Sequence, residues 1–307
     1  MTDHPSPDAV AVLISPVDRQ PELAAIRAAV AGLGGSVTGV ADLGTTPADG
    51  GPGPLQVQQL AIRGVPWVPL RGPLGALAAA GGWDVVCRAP WLHLGEPLLV
   101  VLDVDSTLIT AEVIELLAAH VGREAEVAAV TDRAMRGEID FAESLHQRVR
   151  VLAGLPVSVF GDVRAVVRPT PGVPAMIAAV NASGGRVGVV SGGFCEVVEP
   201  LAAELGIAYA RANRLEVADG RLTGRVQGAV VDRAEKARAL RRYAADAGVS
   251  MDRTVAIGDG ANDLDMLGLA ALGIAFNAKP AVRAAADASL SGGRLDVVPA
   301  VLGRQLT

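Results

Sequence analysis

The chain has 307 residues, half of them hydrophobic, with aromatics at 3% and a formal net charge of −6. That length suits two domains, and the apolar content excludes a disordered chain. Acidic and basic residues are interspersed, so no basic block marks a nucleic-acid surface and no polybasic helix marks a membrane surface.

The start, residues 1–7, is polar and lacks the charged and apolar regions of a signal peptide. No apolar run approaches the roughly 20 residues needed to span a bilayer. Cys87 and Cys195 lie far apart and fit no metal spacing, which points to free thiols in a reducing compartment and a cytoplasmic location. The first 90 residues read as a strand (10–14), a helix (22–33), two strands (37–41 and 55–62), a helix near 74–80 and a strand (84–87). A loop rich in Gly, Pro, Asp and Thr at 44–54 interrupts them. The order βαββαβ is one of the ferredoxin-like arrangements, and this unit holds no catalytic constellation.

A second composition change at 90–97 opens the other unit, residues 97–307, in which strands and helices alternate. A Rossmann-like parallel sheet covered on both faces is expected. Three apolar runs, 98–102, 186–190 and 254–257, read as buried strands, each ending in polar residues: Asp103, Ser191, and Gly258 with Asp259. Ligands of open α/β sheets bind beyond the carboxyl ends of the strands. Between the first two of these strands lies a helical insertion, about 111–167, with helices expected at 111–121, 123–135, 141–153 and 157–167. A cap in that place suits a lid.

The strand ends carry the chemistry. In Asp103-Val104-Asp105-Ser106-Thr107 the two aspartates are at i and i+2, so an extended backbone aims both into one pocket. Carboxylates so crowded need a cation or a shared proton, unless they are simply solvated. An ionised one can attack phosphorus, and a protonated one can serve a leaving oxygen. Ser191-Gly192-Gly193 lets backbone N–H groups approach an anion just before a helix, although an ordinary turn would look the same. Lys236 shares a helical stripe with Leu240, Tyr243 and Ala247, so it must snorkel or meet an anion. Gly258-Asp259-Gly260-Ala261-Asn262-Asp263 offers the hard oxygen ligands that Mg²⁺ prefers, or a capped helix start.

The insertion bears on the substrate. Glu112 is expected in the first turn of its first helix, and Arg148 lies beside the stripe of Phe141, Leu145 and Leu152. A glutamate suits an ammonium and an arginine suits bidentate capture of a carboxylate, which together describe an amino acid.

The series Asp-x-Asp-Ser-Thr, Ser-Gly-Gly, Lys and Gly-Asp-Gly-x-Asn-Asp, over about residues 97–290, resembles the haloacid dehalogenase superfamily of phosphatases. With Glu112 and Arg148 it is similar to the phosphoserine phosphatase family within it. The resemblance implies that Asp103 is the phosphorylated nucleophile and Asp105 the general acid and base, which also gives its backbone carbonyl to Mg²⁺. It implies that Asp103 and Asp259 ligate the ion through their side chains and that Asp263 supports a water on it. Ser191, the Gly192 amide and Lys236 would hold the phosphoryl oxygens, Asn262 would sit close to the phosphate, and Glu112 and Arg148 would bind the amino-acid part. The implied reaction is hydrolysis of O-phospho-L-serine, the last step of serine biosynthesis. The N-terminal unit is similar to degenerate ACT-type domains, which implies regulation or assembly, including a homodimer formed through it. Two other readings stay open: a phosphatase or phosphotransferase for another small phosphorylated metabolite, and an amino-acid sensor with a vestigial phosphatase core.

Overall fold

A computed structural model describes residues 6–48, 53–135 and 138–306. Parts of two expected segments, the polar start and the loop at 44–54, lie outside the described residues. The N-terminal unit runs β1 (Ala9–Pro16), α1 (Leu23–Gly32), β2 (Ser36–Thr45), β3 (Leu55–Arg63), α2 (Trp67–Gly81) and β4 (Asp84–Arg88). Its sheet is antiparallel in the order β2-β3-β1-β4, the ferredoxin-like arrangement. Along β1 the side chains alternate between two cores. Ala9, Ala11 and Leu13 pack with Ile26, Leu70 and Leu74 under the helices. Val10, Val12 and Ile14 join a larger cluster that includes Leu98, Leu295 and Val298 of the second unit. A strand apolar on both faces is one whose sheet is covered on both faces.

The second unit opens with β5 (Leu99–Leu102), whose four residues Leu-Val-Val-Leu are fully buried, as a central parallel strand requires. The insertion follows as α3 (Val113–Ala119), α4 (Glu124–Met135), α5 (Phe141–Arg150) and α6 (Val159–Val166). Then come α7 (Val173–Ala182), β6 (Arg186–Phe194), α8 (Cys195–Leu205), β7 (Tyr209–Ala218), β8 (Arg221–Gln227), α9 (Arg233–Ala247) and β9 (Thr254–Gly258). The chain closes with α10 (Leu264–Leu269), β10 (Leu272–Phe276), α11 (Pro280–Ala285), β11 (Ala288–Leu290) and α12 (Val298–Val301).

These strands form one sheet in the order β11-β10-β9-β5-β6-β7-β8, parallel except for the β7–β8 hairpin. The three strands singled out from the sequence are neighbours at its centre, β9-β5-β6, so their carboxyl ends open on one crevice. The hairpin was not expected. It turns at Asp219 and Gly220, both with positive φ (49° and 70°), and its β8 packs against α5 of the insertion. The expected α/β class, parallel core and small N-terminal sheet are all present. Among the described residues no helix is long and apolar enough to cross a membrane.

Candidate active site

The Asp103–Thr107 motif leaves β5 through one wide turn over Val104–Leu108, closed by a hydrogen bond from Ile109 N–H to Val104 C=O at 3.0 Å. Asp103 and Asp105 stay extended, and Ser106 takes a positive φ of 56°. Both aspartates line a cavity of about 140 Å³, together with Glu112, Arg148, Gly192, Asp259 and Asn262. Phe141, Ile114 and Leu145 supply its apolar wall from the insertion.

Behind the cavity floor lies a buried charge cluster. Lys236, fully buried on α9, donates to Asp103 Oδ1 at 2.8 Å and to Asp263 Oδ1 at 2.7 Å. The helix presents it there because Asp232 caps the first turn, accepting from Glu235 N–H at 2.7 Å. Lys236 therefore meets carboxylates rather than snorkelling to solvent. Burial opposes its charge, yet Asp103 and Asp263 together hold its pKa above the ordinary lysine value.

Oxygens of Asp103, Asp259 and Asp263 lie within 4.8 Å of one another. Burial, then the Asp263 charge, raises Asp103 well above the usual carboxylate range despite Lys236. Burial and Asp263 push Asp259 up to about 6. One lysine does not neutralise three carboxylates, and a crowded set of hard oxygens fits a divalent cation such as Mg²⁺. Two bonds hold the set in place: Thr107 Oγ1 donates to Asp259 at 2.9 Å, and Gly260 N–H to Asp263 at 2.9 Å.

Asp105 is placed differently. Its Oδ1 accepts from Val113 N–H at 2.9 Å, so it caps α3, and its Oδ2 accepts from Ser191 Oγ at 3.2 Å. Burial first, and the Glu112 carboxylate second, push it up to about 7. A carboxyl poised near neutrality can both give and take a proton. Glu112 precedes α3 instead of lying in its first turn. Its Oε1 accepts from Ser106 Oγ at 2.7 Å. The positive φ of Ser106 brings that hydroxyl round to it. Arg148 is half-buried; burial lowers its pKa, while Glu112 and then Asp105 counteract this.

The two glycines after Ser191 have separate steric reasons. A Cβ on Gly192 would stand 2.9 Å from the Phe141 ring, and one on Gly193 would stand 2.6 Å from Asp105 Oδ2. Ser191 is fully buried; its Oγ accepts from Gly193 N–H at 2.7 Å. Two supporting residues were missed from the sequence. Thr107 lay inside a quoted motif but was given no role. Asn213, buried on β7, donates to Gly192 C=O at 2.8 Å and accepts from Val231 N–H at 2.7 Å, fixing the peptide beside the cavity. Its only signal was an amide in an otherwise unrecognised strand.

A family model described as haloacid dehalogenase-like hydrolase matches residues 100–268. A phosphoserine phosphatase of Streptomyces coelicolor is 57% identical over 250 residues, covering 81% of this chain and 61% of that one. One of Streptococcus thermophilus is 50% identical over 185 residues, covering 60% of this chain and 86% of that one. A crystal structure of a probable phosphoserine phosphatase from Vibrio cholerae superposes with a TM-score of 0.73 at 31% identity, covering 96% of this chain and 86% of that one. The chain thus spans about three fifths of the length of the Streptomyces relative and most of the length of the other two. The matched segment contains all three strand ends and the α9 lysine, and by that match the chain belongs to the haloacid dehalogenase-like hydrolase family.

Proposed function

We propose that this protein hydrolyses O-phospho-L-serine to L-serine and phosphate through an aspartyl-phosphate at Asp103. The observation that carries the reading is one small cavity lined by Asp103 and Asp105 together with Glu112 and Arg148. The first pair suits a phosphoryl group and the second an amino-acid backbone. The names of the relatives support the same substrate.

In the first half-reaction an Asp103 carboxylate oxygen attacks phosphorus, and the bond from phosphorus to the serine oxygen breaks. Asp105 gives its proton to the departing oxygen. In the second, water attacks phosphorus while Asp105 takes its proton back; phosphate leaves and Asp103 is restored. Ser191, the Gly192 amide, Lys236 and Asn262 stabilise the phosphoryl oxygens. Lys236, itself held by Asp263, also fixes the attacking carboxylate. The side chains of Asp103 and Asp259 and the backbone carbonyl of Asp105 would hold Mg²⁺, with Asp263 behind them. When bound, the ion supplies neutralisation of the crowded carboxylates and of the phosphoryl charge. Glu112 receives the ammonium and Arg148 the carboxylate.

The same reading makes residues 1–90 a regulatory or assembly unit, with residues 97–307 the phosphatase unit and about 111–167 its cap. It places the protein in the cytoplasm and pairs two copies through the N-terminal sheet, whose edge strand β2 is largely exposed. Phosphate release from a panel of small phosphomonoesters, with and without Mg²⁺, tests the assignment. Mg²⁺-dependent turnover with preference for O-phospho-L-serine is expected. Turnover preferring another ester would move the substrate, and no turnover would leave the core vestigial.

A further inference from the structure

A second cavity lies remote from the site just described. It is a cleft of about 1510 Å³ between the two units. It borders the end of α7 and the segment before β5, so it lies at the amino ends of the parallel strands, opposite the catalytic pole. Ligand cavities are typically roughly 300–1,000 Å³, so a small molecule would fill only part of it.

Two features of its lining point to a ligand. The first is Arg88, only 3% exposed and without a carboxylate partner among the described residues. Its Nε donates to Val301 C=O at 2.5 Å, Nη1 to the Ala89 and Pro90 carbonyls at 3.1 and 3.5 Å, and Nη2 to Gln59 Oε1 at 3.3 Å. A guanidinium has five N–H donors, so one on Nη2 is left over. Gly303 (φ 86°) keeps that corner open, since a Cβ there would stand 3.3 Å from Nη2. Burial pulls the Arg88 pKa down to about 10. A buried cation held only by neutral acceptors gains from an anion.

The second feature is aromatic. The whole chain has three tryptophans, and two of them line this cleft. Trp67 and Trp91 meet edge to face with centroids 4.9 Å apart, and Trp91 is 48% exposed. Arg304 adds a second positive charge, and Asp8 is engaged by the Gly64 N–H at 2.8 Å.

We propose that this cleft binds a small organic anion with a flat apolar body, its carboxylate on Arg88 and its ring against Trp91. Aromatic rings favour offset or edge contacts with each other, and the spare Nη2 N–H can donate a charge-assisted hydrogen bond to a carboxylate. The ligand would bridge the N-terminal sheet, which carries Arg88, and the segment from Trp91 into the phosphatase unit. It would not compete with a molecule in the catalytic cavity.

The test uses the full chain, calorimetry and tryptophan fluorescence. The probes are benzoate, its neutral isostere benzamide, and inorganic phosphate. Benzoate should bind saturably and quench the tryptophans, with benzamide at least about tenfold weaker for loss of a charged hydrogen bond and phosphate at least about tenfold weaker for loss of the ring contact. Trp91→Ala and Arg88→Lys should each weaken benzoate by about tenfold. Arg148→Ala, in the other cavity, should leave benzoate binding unchanged. Trp91 is half exposed, so its variant stays informative even where Arg88→Lys fails to fold. No saturable benzoate binding up to millimolar concentration overturns the proposal. So does equal affinity for benzamide, or loss of binding in Arg148→Ala with Trp91→Ala unaffected.

Discussion

Each unit of this molecule buries charged side chains, and it does so differently. In the N-terminal unit Asp84 and Arg88 sit at the two ends of β4 and reach across to the other unit. Asp84 accepts from the backbone and hydroxyl of Ser291 at 2.7 and 2.6 Å, and Arg88 donates to Val301. These bonds join one sheet to the next. In the second unit Asp103, Lys236 and Asp263 are buried against one another beneath a cavity, with Asp259 and Asp105 at its edge. There the like charges outnumber the cation, and the pKa values of Asp103, Asp105 and Asp259 are pushed upward. Charged groups held by neutral donors and acceptors tie a fold together, whereas like charges crowded at a cavity are arranged for chemistry.

The largest effect that separates the units is on turnover. Asp103→Asn should lower kcat by at least about 10³-fold, because an amide is a poor nucleophile. Residual activity near wild type in pure protein would place the nucleophile elsewhere. Next comes Lys236→Met, which strands two buried carboxylates. Losing one partner of a buried pair costs roughly 3–5 kcal/mol, visible as a lowered Tm together with lost activity. Asp84→Asn, its counterpart in the other unit, should cost about 1 kcal/mol and leave kcat unchanged. If Asp84→Asn abolished turnover, the division between tying and reacting charges would fail.

Arg148→Ala sharpens the division inside the second unit. A charged hydrogen bond to a carboxylate contributes roughly 1.5–3 kcal/mol, about one to two decades in kcat/KM. That loss should appear with O-phospho-L-serine and be much smaller with p-nitrophenyl phosphate. Equal losses on both would make Arg148 a support for the cap.

The smallest effect is a pH dependence. Asp259 at about 6 and Asp105 at about 7 have pKa values above those of an unfolded aspartate. The metal-free folded state thus binds more protons than the unfolded one, and its stability falls as pH rises from about 4 to 7. Mg²⁺ needs the ionised carboxylates, so the Tm gain from Mg²⁺ should grow from pH 5 to pH 7.5. A gain independent of pH would mean that the Asp259 carboxylate does not hold the ion.

How far the sequence could be read also differs between regions. β5, β6 and β9 were legible because parallel central strands are continuous apolar runs that stop at a polar residue. The helices of the insertion were placed to within a few residues by their apolar stripes. β6 runs on through Ser191-Gly192-Gly193 to Phe194, beyond its apolar run, because those residues stay extended beside Asn213. The β7–β8 hairpin escaped because β7 mixes Arg, Asn and Glu with apolar residues, although Asp219-Gly220 is a strong two-residue turn signal. The mutual contacts of Lys236 with Asp103 and Asp263 were not legible, since nothing in the spacing of α9 says which carboxylates it meets. The same holds for the joint between the units. The alternating β1 residues could be seen to be apolar on both faces, but not that the second face packs on Leu98, Leu295 and Val298.

The covalent step is the centre of this account, and it can be observed directly. Protein turning over O-phospho-L-serine with Mg²⁺ is quenched in acid, digested and mapped by mass spectrometry. The account predicts one phosphoryl group on the peptide carrying Asp103, absent from Asp103→Asn. A phosphoryl group on Ser191, or none on any residue during rapid turnover, would contradict it.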